Sequence, residues 1–145
     1  MKTSAATRRK ARHFGVQALY QWHMTGASLN IIEAEFCADN DMAYTDTDYF
    51  HELIHKIPAQ VTQLDEIYSA YLQDRSVREL DPITLSLLRL ATYEMYYRID
   101  VPYKVVINES VSLARKFGAT DSYKFINGVL DKLATQVRMA ETGNK

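Results

Sequence analysis

Several features that define common protein classes are scarce in this chain of 145 residues. The one cysteine, Cys37, excludes an internal disulfide, and the five glycines form neither a G-x-S-x-G motif nor a phosphate-cradling loop. No run approaches the roughly 18–20 uncharged apolar residues of a membrane span, and the N-terminus has no apolar segment like that of a secretory signal. We therefore expect a single soluble cytoplasmic domain that has no membrane partner, no cofactor and no enzymatic activity.

Charge is distributed very unevenly, although the formal net charge is only −1. Residues 1–32 hold five basic residues and no acid, residues 33–81 hold three basic and twelve acidic residues, and residues 82–145 hold nine basic and six acidic residues. The three segments therefore carry +5, −9 and +3. A basic N-terminal arm on a nearly neutral protein indicates local contact with phosphate groups.

Apolar residues recur at helical spacing along almost the whole chain, and the alternation typical of strands is absent. The pattern predicts an all-α protein with six helices, at about residues 5–24, 28–38, 46–74, 82–98, 103–117 and 121–138. Pro58 is expected to kink the third helix, and Asp81-Pro82 to begin a fourth that is apolar nearly all round and centrally buried. The tail after about Met139 is expected to be loosely held.

Caps and glycines give further local expectations. Gly26 should end the first helix, and Ser28 should cap the second. Gly118 should adopt a left-handed conformation after the fifth helix, with Thr120 or Asp121 capping the sixth. Gly128, inside the sixth helix, should let another helix approach closely.

One face of the first helix combines cations with apolar groups. A helical wheel places Arg9, Arg12, His13, Val16 and Tyr20 roughly opposite the core stripe. Cations that meet phosphates beside a ring that stacks on a base suit single-stranded nucleic acid. The alternative is that Val16 and Tyr20 pack on another helix and the arginines are merely solvated.

The last helix shows a similar combination, because Phe125 lies beside the core stripe and is flanked by Tyr123 and Lys124. Phe125 either packs at the edge of the bundle or forms a platform on which a base stacks.

The segment His51-Glu52-Leu53-Ile54-His55 matches the H-E-x-x-H zinc motif. Both histidines should point away from the core stripe into solvent, and no third ligand is marked in the sequence. We therefore expect no metal site and no protease. Cys37 has no basic residue nearby in the sequence and is expected to be a buried small hydrophobe rather than a nucleophile.

Three segments together resemble the NusB family of transcription antitermination factors. They are RRKAR at 8–12 followed by VQALY at 16–20, VPYKVVINE at 101–109, and KFGA at 116–119 followed by SYKFINGVLDK at 122–132. The likeness extends over nearly the whole chain in length, order and helix pattern. It implies a NusB-like fold of six to seven helices in two three-helix bundles, at about residues 5–74 and 82–138.

The resemblance also implies a function. Members of the family bind the single-stranded boxA element of nascent ribosomal RNA together with a small ribosomal protein (NusE), and join other Nus factors on RNA polymerase. Carried over by position, the RNA surface would consist of Arg8, Arg9, Lys10, Arg12, Tyr20, Asp121, Lys124 and Phe125. Lys10 departs from an all-arginine run and loses guanidinium stacking. The partner surface would lie on the fourth helix, at Ile83, Thr84, Leu87 and Leu88.

Two other interpretations remain open. The chain is also similar to the helical N-terminal domain of ribosomal RNA methyltransferases, but it has no glycine-rich turn for a methyl donor. It would also fit a helical adaptor or homodimer whose basic face is only solvated. The sequence leaves the RNA sequence recognised and the oligomeric state undetermined.

Overall fold

A computed structural model describes residues 4–143. The helices are α1 (Ala5–Thr25), α2 (Leu29–Asp39), α3 (Thr47–Ala59), α4 (Val61–Ser69), α5 (Pro82–Tyr97), α6 (Tyr103–Phe117), α7 (Ser122–Val137) and α8 (Met139–Thr142), with a 3-10 turn at Val77–Glu79. No strand occurs in this described part, which confirms the all-α prediction. None of the described helices has the length and apolar character needed to cross a membrane.

The predicted third helix is divided in two. α3 ends at Ala59 and α4 begins at Val61, and the Gln60 N–H donates to the Ile57 carbonyl in a tight turn. Pro58 has no backbone N–H to donate within the helix, which weakens the helix at this point. The prediction of one kinked helix over 46–74 is wrong, because two separate helices are present. The chain also divides into two compact units at this point, one ending at Gln60 and the other beginning at Val61. Residues 61–74 thus belong to the second unit, not to an N-terminal bundle.

The first unit is a bundle of α1, α2 and α3 around a cluster of aromatic rings. Phe14 of α1 contacts Phe36 of α2 and Phe50 of α3 edge to face, with ring centroids 6.4 Å apart in both pairs. Leu53 and Ile57 continue the apolar stripe of α3 and are fully buried. Such ring pairs add to the free energy of burial, so the three helices share one core.

The second unit is organised around α5, in which every residue from Thr84 to Met95 is buried. Asp81 accepts a hydrogen bond from the Thr84 N–H at 2.9 Å, which confirms the predicted cap. Buried Arg89 donates to both carboxylate oxygens of Asp65 on α4, at 2.9 Å each. The buried Tyr68 hydroxyl donates to the same carboxylate, and burial and this contact raise the pKa of Tyr68.

The C-terminal segment is tied to the end of α5 by Arg138, which is 5% exposed. Its guanidinium donates to the carbonyl oxygens of Met95 at 2.7 Å, Arg98 at 3.0 Å and Glu94 at 3.1 Å. It also pairs with Glu141, whose carboxylate accepts from the Tyr103 N–H and has a lowered pKa chiefly for that reason. A helix end leaves its last carbonyls without partners in the helix. Arg138 supplies a donor to the Met95 carbonyl and adds a second one to the Glu94 and Arg98 carbonyls, which also accept from the Arg98 and Val101 N–H groups. The expectation of a loose tail is therefore wrong for residues 139–142.

Local expectations at the other helix ends have mixed outcomes. Gly26 ends α1 with φ of 67°, as predicted, but the Ser28 side chain makes no capping hydrogen bond. Gly118 is extended rather than left-handed, and Asp121 has the positive φ of 70° without a side-chain cap. A Cβ on Gly118 would lie 2.4 Å from Ser122 Oγ and 2.7 Å from the Ala114 carbonyl oxygen. Glycine is therefore needed there for close approach, whereas nothing lies within 4 Å of a Cβ on Gly128, so that expectation is wrong.

Two glycine-to-alanine substitutions should consequently have opposite effects. Gly118→Ala should lower the free energy of unfolding by about 1–3 kcal/mol, because the new methyl group overlaps backbone as well as a side chain. Gly128→Ala should raise it by roughly 0.5–1 kcal/mol, because alanine favours a helix interior and meets no neighbour. Urea unfolding followed by circular dichroism compares them, and effects of the same sign would contradict this account.

Candidate nucleic-acid interface

The exposed cations of α1 are Arg9 and Lys10. Arg9, His13 and Tyr20 are spaced four and seven residues apart and therefore share one face of the helix. Tyr20 is 36% exposed and His13 is half-buried. This arrangement gives α1 a solvent-facing cation and a tyrosine ring on the same side, as the sequence predicts.

Arg8 and Arg12 lie differently, since both pack on the ring of Tyr49 in α3. The Arg8 Cζ atom is 4.6 Å and the Arg12 Cζ atom 5.7 Å from the ring centroid. Arg8 also lies 3.9 Å from the carboxylate of Asp46, which caps α3 by accepting from the Tyr49 N–H. Arg12 is only 3% exposed. These two arginines thus help hold α1 against α3, and they present less charge to solvent than Arg9 and Lys10.

Val16 does not face solvent, contrary to the wheel. Val16 is 0% exposed. On the same helix, Ala11 is 0% exposed and Ala18 is 1% exposed. Both α2 and α3 pack on α1, so a wider arc of the helix is buried than one stripe predicts. The packing alternative holds for Val16 but not for Tyr20.

A cleft in the second unit contains two of the residues predicted to bind RNA, Asp121 and Phe125. Its volume is about 240 Å³. The lining residues are Arg75, Asp81, Thr84, Ala119, Thr120, Asp121, Ser122 and Phe125. The left-handed turn at Asp121 precedes α7, and that helix places Phe125 one turn further along.

Arg75 is a residue that sequence reasoning missed. Its Cζ atom lies 4.4 Å from the centroid of the half-buried Phe125 ring, so the guanidinium stacks on the ring beside the cleft. A guanidinium over an aromatic ring is attracted by the negative face of the ring. Arg75 lies in the irregular segment between α4 and the 3-10 turn, where no periodic pattern points to it.

A second set of cation–ring contacts lies near the start of α7. The Arg115 Cζ atom of α6 is 4.2 Å from the Tyr123 ring centroid, and Lys124 Nζ is 5.9 Å from it. Exposed Lys124 also lies 3.5 Å from the Asp121 carboxylate. The second unit therefore brings Asp121, Lys124 and Phe125 together, with Arg75 and Arg115 as additional cations.

The residues predicted for partner binding are mostly inaccessible. Thr84, Leu87 and Leu88 are 3%, 1% and 0% exposed, while Ile83 is half-buried. α5 is apolar all round because it is the central helix, and a partner docking on the folded surface cannot reach Leu87 or Leu88. The large apolar residues exposed in this unit are Tyr96, Tyr97, Ile99, Val105 and Met139.

The two histidines of the H-E-x-x-H segment do have a third group beside them. Glu33 of α2 lies 2.7 Å from His51 Nδ1 and 2.9 Å from His55 Nε2, one carboxylate oxygen to each ring. Burial of Glu33 raises its pKa, but the hydrogen bonds with His55 and His51 outweigh this effect, and the net pKa is lowered. The expectation that no third ligand is present is therefore wrong. No local pattern indicates this contact, because Glu33 is 18 residues from His51 and lies on another helix.

Cys37 is exposed on α2, so the expectation of a buried cysteine is wrong. α2 has Ile32 as its one fully buried residue, and most of its surface faces solvent. Partial burial of the thiol and the negative charge of Glu33 raise the pKa of Cys37. A raised pKa keeps the thiol protonated at neutral pH, which disfavours a nucleophilic role.

These features define an all-helical protein with cationic and aromatic surfaces in each of its units. Residues 9–135 match the model of the NusB family. The chain is 57% identical to the transcription antitermination protein NusB of Teredinibacter turnerae over 97% of this chain and 96% of that protein. It is 52% identical to the protein of the same name from Pseudomonas savastanoi, over 97% of this chain and 84% of that one. The solved structure of T. maritima NusB superposes with a TM-score of 0.78 at 31% identity, covering 94% of each chain.

The chain therefore belongs to the NusB family, which confirms the resemblance and the NusB-like fold inferred from the sequence.

Proposed function

We propose that this protein is an antitermination factor that binds single-stranded boxA RNA of nascent ribosomal RNA transcripts. It would act with a small ribosomal protein (NusE), help assemble a processive RNA polymerase complex in the cytoplasm, and require neither catalysis nor a cofactor. The observation that carries the proposal is the Arg75–Phe125 stack beside the cleft of the second unit. Single-stranded RNA is read by proteins through rings and guanidinium planes on which unpaired bases stack.

The cleft combines stacking with polar recognition. Phe125 and Arg75 supply planar groups, while the Asp121 and Asp81 carboxylates are acceptors for base amino groups. Thr120 adds a hydroxyl group at the same lining, whereas the buried Thr84 hydroxyl donates to Asp81. A volume of about 240 Å³ is sufficient for a nucleobase to enter in part. This cleft is therefore proposed as the part of the surface that selects bases.

The first unit supplies the phosphate contacts in this proposal. Arg9 and Lys10 are exposed cations, and Tyr20 adds a ring on the face that Arg9 occupies. Arg8 and Arg12 are held on Tyr49 and mainly position α1, so their contribution to RNA binding would be partly indirect. Lys10 brings a point charge without the planar fork of an arginine, so its role is electrostatic.

The ribosomal partner is proposed to bind through charge as well as shape. Residues 33–81 carry nine more acidic than basic residues, which favours a basic partner. Of the four residues that the resemblance implies for this contact, Ile83 is the one that is partly exposed. If charge drives the contact, affinity for the partner should fall steeply as salt rises.

Fluorescence anisotropy with labelled RNA tests this function. The protein alone should bind a boxA-type single strand more tightly than a scrambled strand of equal length and composition, and NusE should increase this preference. Equal and weak binding of both strands, with or without NusE, would contradict the proposal and leave a helical adaptor whose basic surface is only solvated.

A further inference from the structure

The contact between α2 and α3 contains the donor set of a transition-metal site. Glu33 from α2 and His51 and His55 from α3 each offer one ligand atom, and these three atoms lie within 4.8 Å of one another. The two imidazole rings are one helical turn apart, with centroids 4.2 Å apart. Two histidines at i and i+4 with a carboxylate from another element form one of the ligand sets that zinc uses.

We propose that Glu33, His51 and His55 bind a divalent transition-metal ion, with Zn²⁺ as the representative, and that the ion links α2 to α3. A carboxylate only accepts hydrogen bonds, so the histidine nitrogens that face Glu33 carry protons when no metal is bound. When the ion binds, it takes the place of these protons. In each neutral imidazole the proton moves, by exchange with water, to the other ring nitrogen, so the ring changes tautomer and keeps its charge.

The geometry requires only small side-chain movements. Ligand atoms about 2.0–2.1 Å from a tetrahedral ion are roughly 3.4 Å apart. The Glu33–His51 and Glu33–His55 separations of 2.7 and 2.9 Å are shorter, because hydrogen bonds now join them. The side chain of His51 is 61% exposed and can turn without disturbing the core, whereas His55 and Glu33, at 27% and 22%, are held more firmly.

The site is open to solvent on the His51 side, so an ion has an entry path and water can complete the coordination. Zinc proteases with this motif also bind the ion through two histidines and a third residue, which can be a glutamate, and the glutamate between the histidines is their base. Here the three donors come from α2 and α3, so the ion would join these two helices. We assign the ion this structural role.

α2 is the element that such an ion would stabilise. It has one fully buried residue, Ile32, and no side-chain hydrogen bond at its N-cap. A helix of 11 residues with so few anchors is marginal by itself. An ion that binds the folded but not the unfolded chain raises the melting temperature, increasingly so as its concentration exceeds the dissociation constant. This effect is independent of RNA binding.

The test uses the full chain without a polyhistidine tag, freed of metal with a chelator. Isothermal titration calorimetry with ZnCl₂ should give one binding site per chain. Co²⁺ should give the visible absorption of a low-symmetry site with nitrogen and oxygen ligands. Zn²⁺ should raise the melting temperature of the protein. Glu33→Gln, His51→Ala and His55→Ala should each lower Zn²⁺ affinity at least about tenfold. Removal of a group that only hydrogen-bonds to a metal ligand already lowers affinity by about this factor.

Two variants serve as controls, since histidines and exposed thiols bind metal ions adventitiously. His23→Ala removes an exposed histidine of α1, and Cys37→Ser removes the thiol one turn along α2 from Glu33. Both should bind Zn²⁺ like the wild type. The proposal fails if the wild type does not bind Zn²⁺, if Glu33→Gln and His51→Ala bind as tightly as the wild type, or if Cys37→Ser alone abolishes binding.

Discussion

Replacing Arg138 with methionine should lower the free energy of unfolding by about 3 kcal/mol, because three buried or partly buried hydrogen bonds from a charged donor are lost together. The Glu94 and Arg98 carbonyls keep a backbone donor, whereas the Met95 carbonyl loses the donor that Arg138 supplies. Methionine keeps the length and apolar stem of the side chain, so the loss of packing is small. For a chain of this size the melting temperature should fall by about 10 °C. Urea and thermal unfolding followed by helical circular dichroism measure both quantities.

The matched control is Arg98→Met, in which the same substitution removes a guanidinium whose pair with Asp100 is near the surface. Pairs near the surface contribute roughly 0–1 kcal/mol, so this variant should lose much less stability than Arg138→Met. Glu141→Gln should also have a smaller effect than Arg138→Met, because an amide oxygen still accepts from the Tyr103 N–H. If Arg138→Met is as stable as Arg98→Met, the hydrogen bonds from Arg138 to the carbonyl oxygens do not hold the C-terminal segment.

Phe125→Leu should weaken binding of boxA-type RNA by about tenfold or more, since a stacked base contributes roughly 1–3 kcal/mol and leucine offers no ring. Arg9→Ala/Lys10→Ala should weaken binding in a different way. The slope of log affinity against log salt should become shallower by about 1.4, which is about 0.7 for each phosphate of a single strand that the protein no longer neutralises. Phe125→Leu should leave this slope unchanged, because it removes no charge.

Each of these variants has a control of the same chemistry. Tyr44→Leu removes a ring that is 76% exposed outside both proposed surfaces. Lys56→Ala/Lys104→Ala removes two exposed positive charges from α3 and α6. Both controls should bind RNA nearly as the wild type does. Decreases in affinity as large in the controls as in the test variants would indicate nonspecific electrostatic attraction or general unfolding.

Much of the helical fold could be predicted from the sequence because its signals are local. The alternation of apolar residues, the Asp81-Pro82 start and the glycine after α1 depend on neighbours a few residues away. The break at Gln60 is not predictable from the apolar spacing, because this spacing continues through Pro58 into α4. Periodicity does not indicate where the backbone hydrogen bonds of a helix end. Arg138 was missed because its partners are about 40 residues earlier in the chain.

The candidate sites were predictable only in part, for a similar reason. A helical wheel shows the faces of one helix but not how many neighbouring helices cover them. The wheel therefore predicts the exposure of Arg9 and Tyr20 correctly but not the burial of Val16. The family resemblance supplied Asp121, Lys124 and Phe125, which the structure brings together. Arg75 and Glu33 become visible only in three dimensions, because each reaches its partner across a turn or from another helix.

The most direct test of the proposed RNA surfaces is a titration of isotopically labelled protein with boxA-type RNA, followed by amide NMR. The account predicts that signals of Arg9, Lys10 and Tyr20 shift together with those of Asp121 and Phe125, and that all of them saturate at one equivalent of RNA. Signals of Tyr44 and Lys104 should remain unchanged. Shifts confined to other surfaces, or no shifts at stoichiometric RNA, would contradict the assignment of these residues to RNA binding.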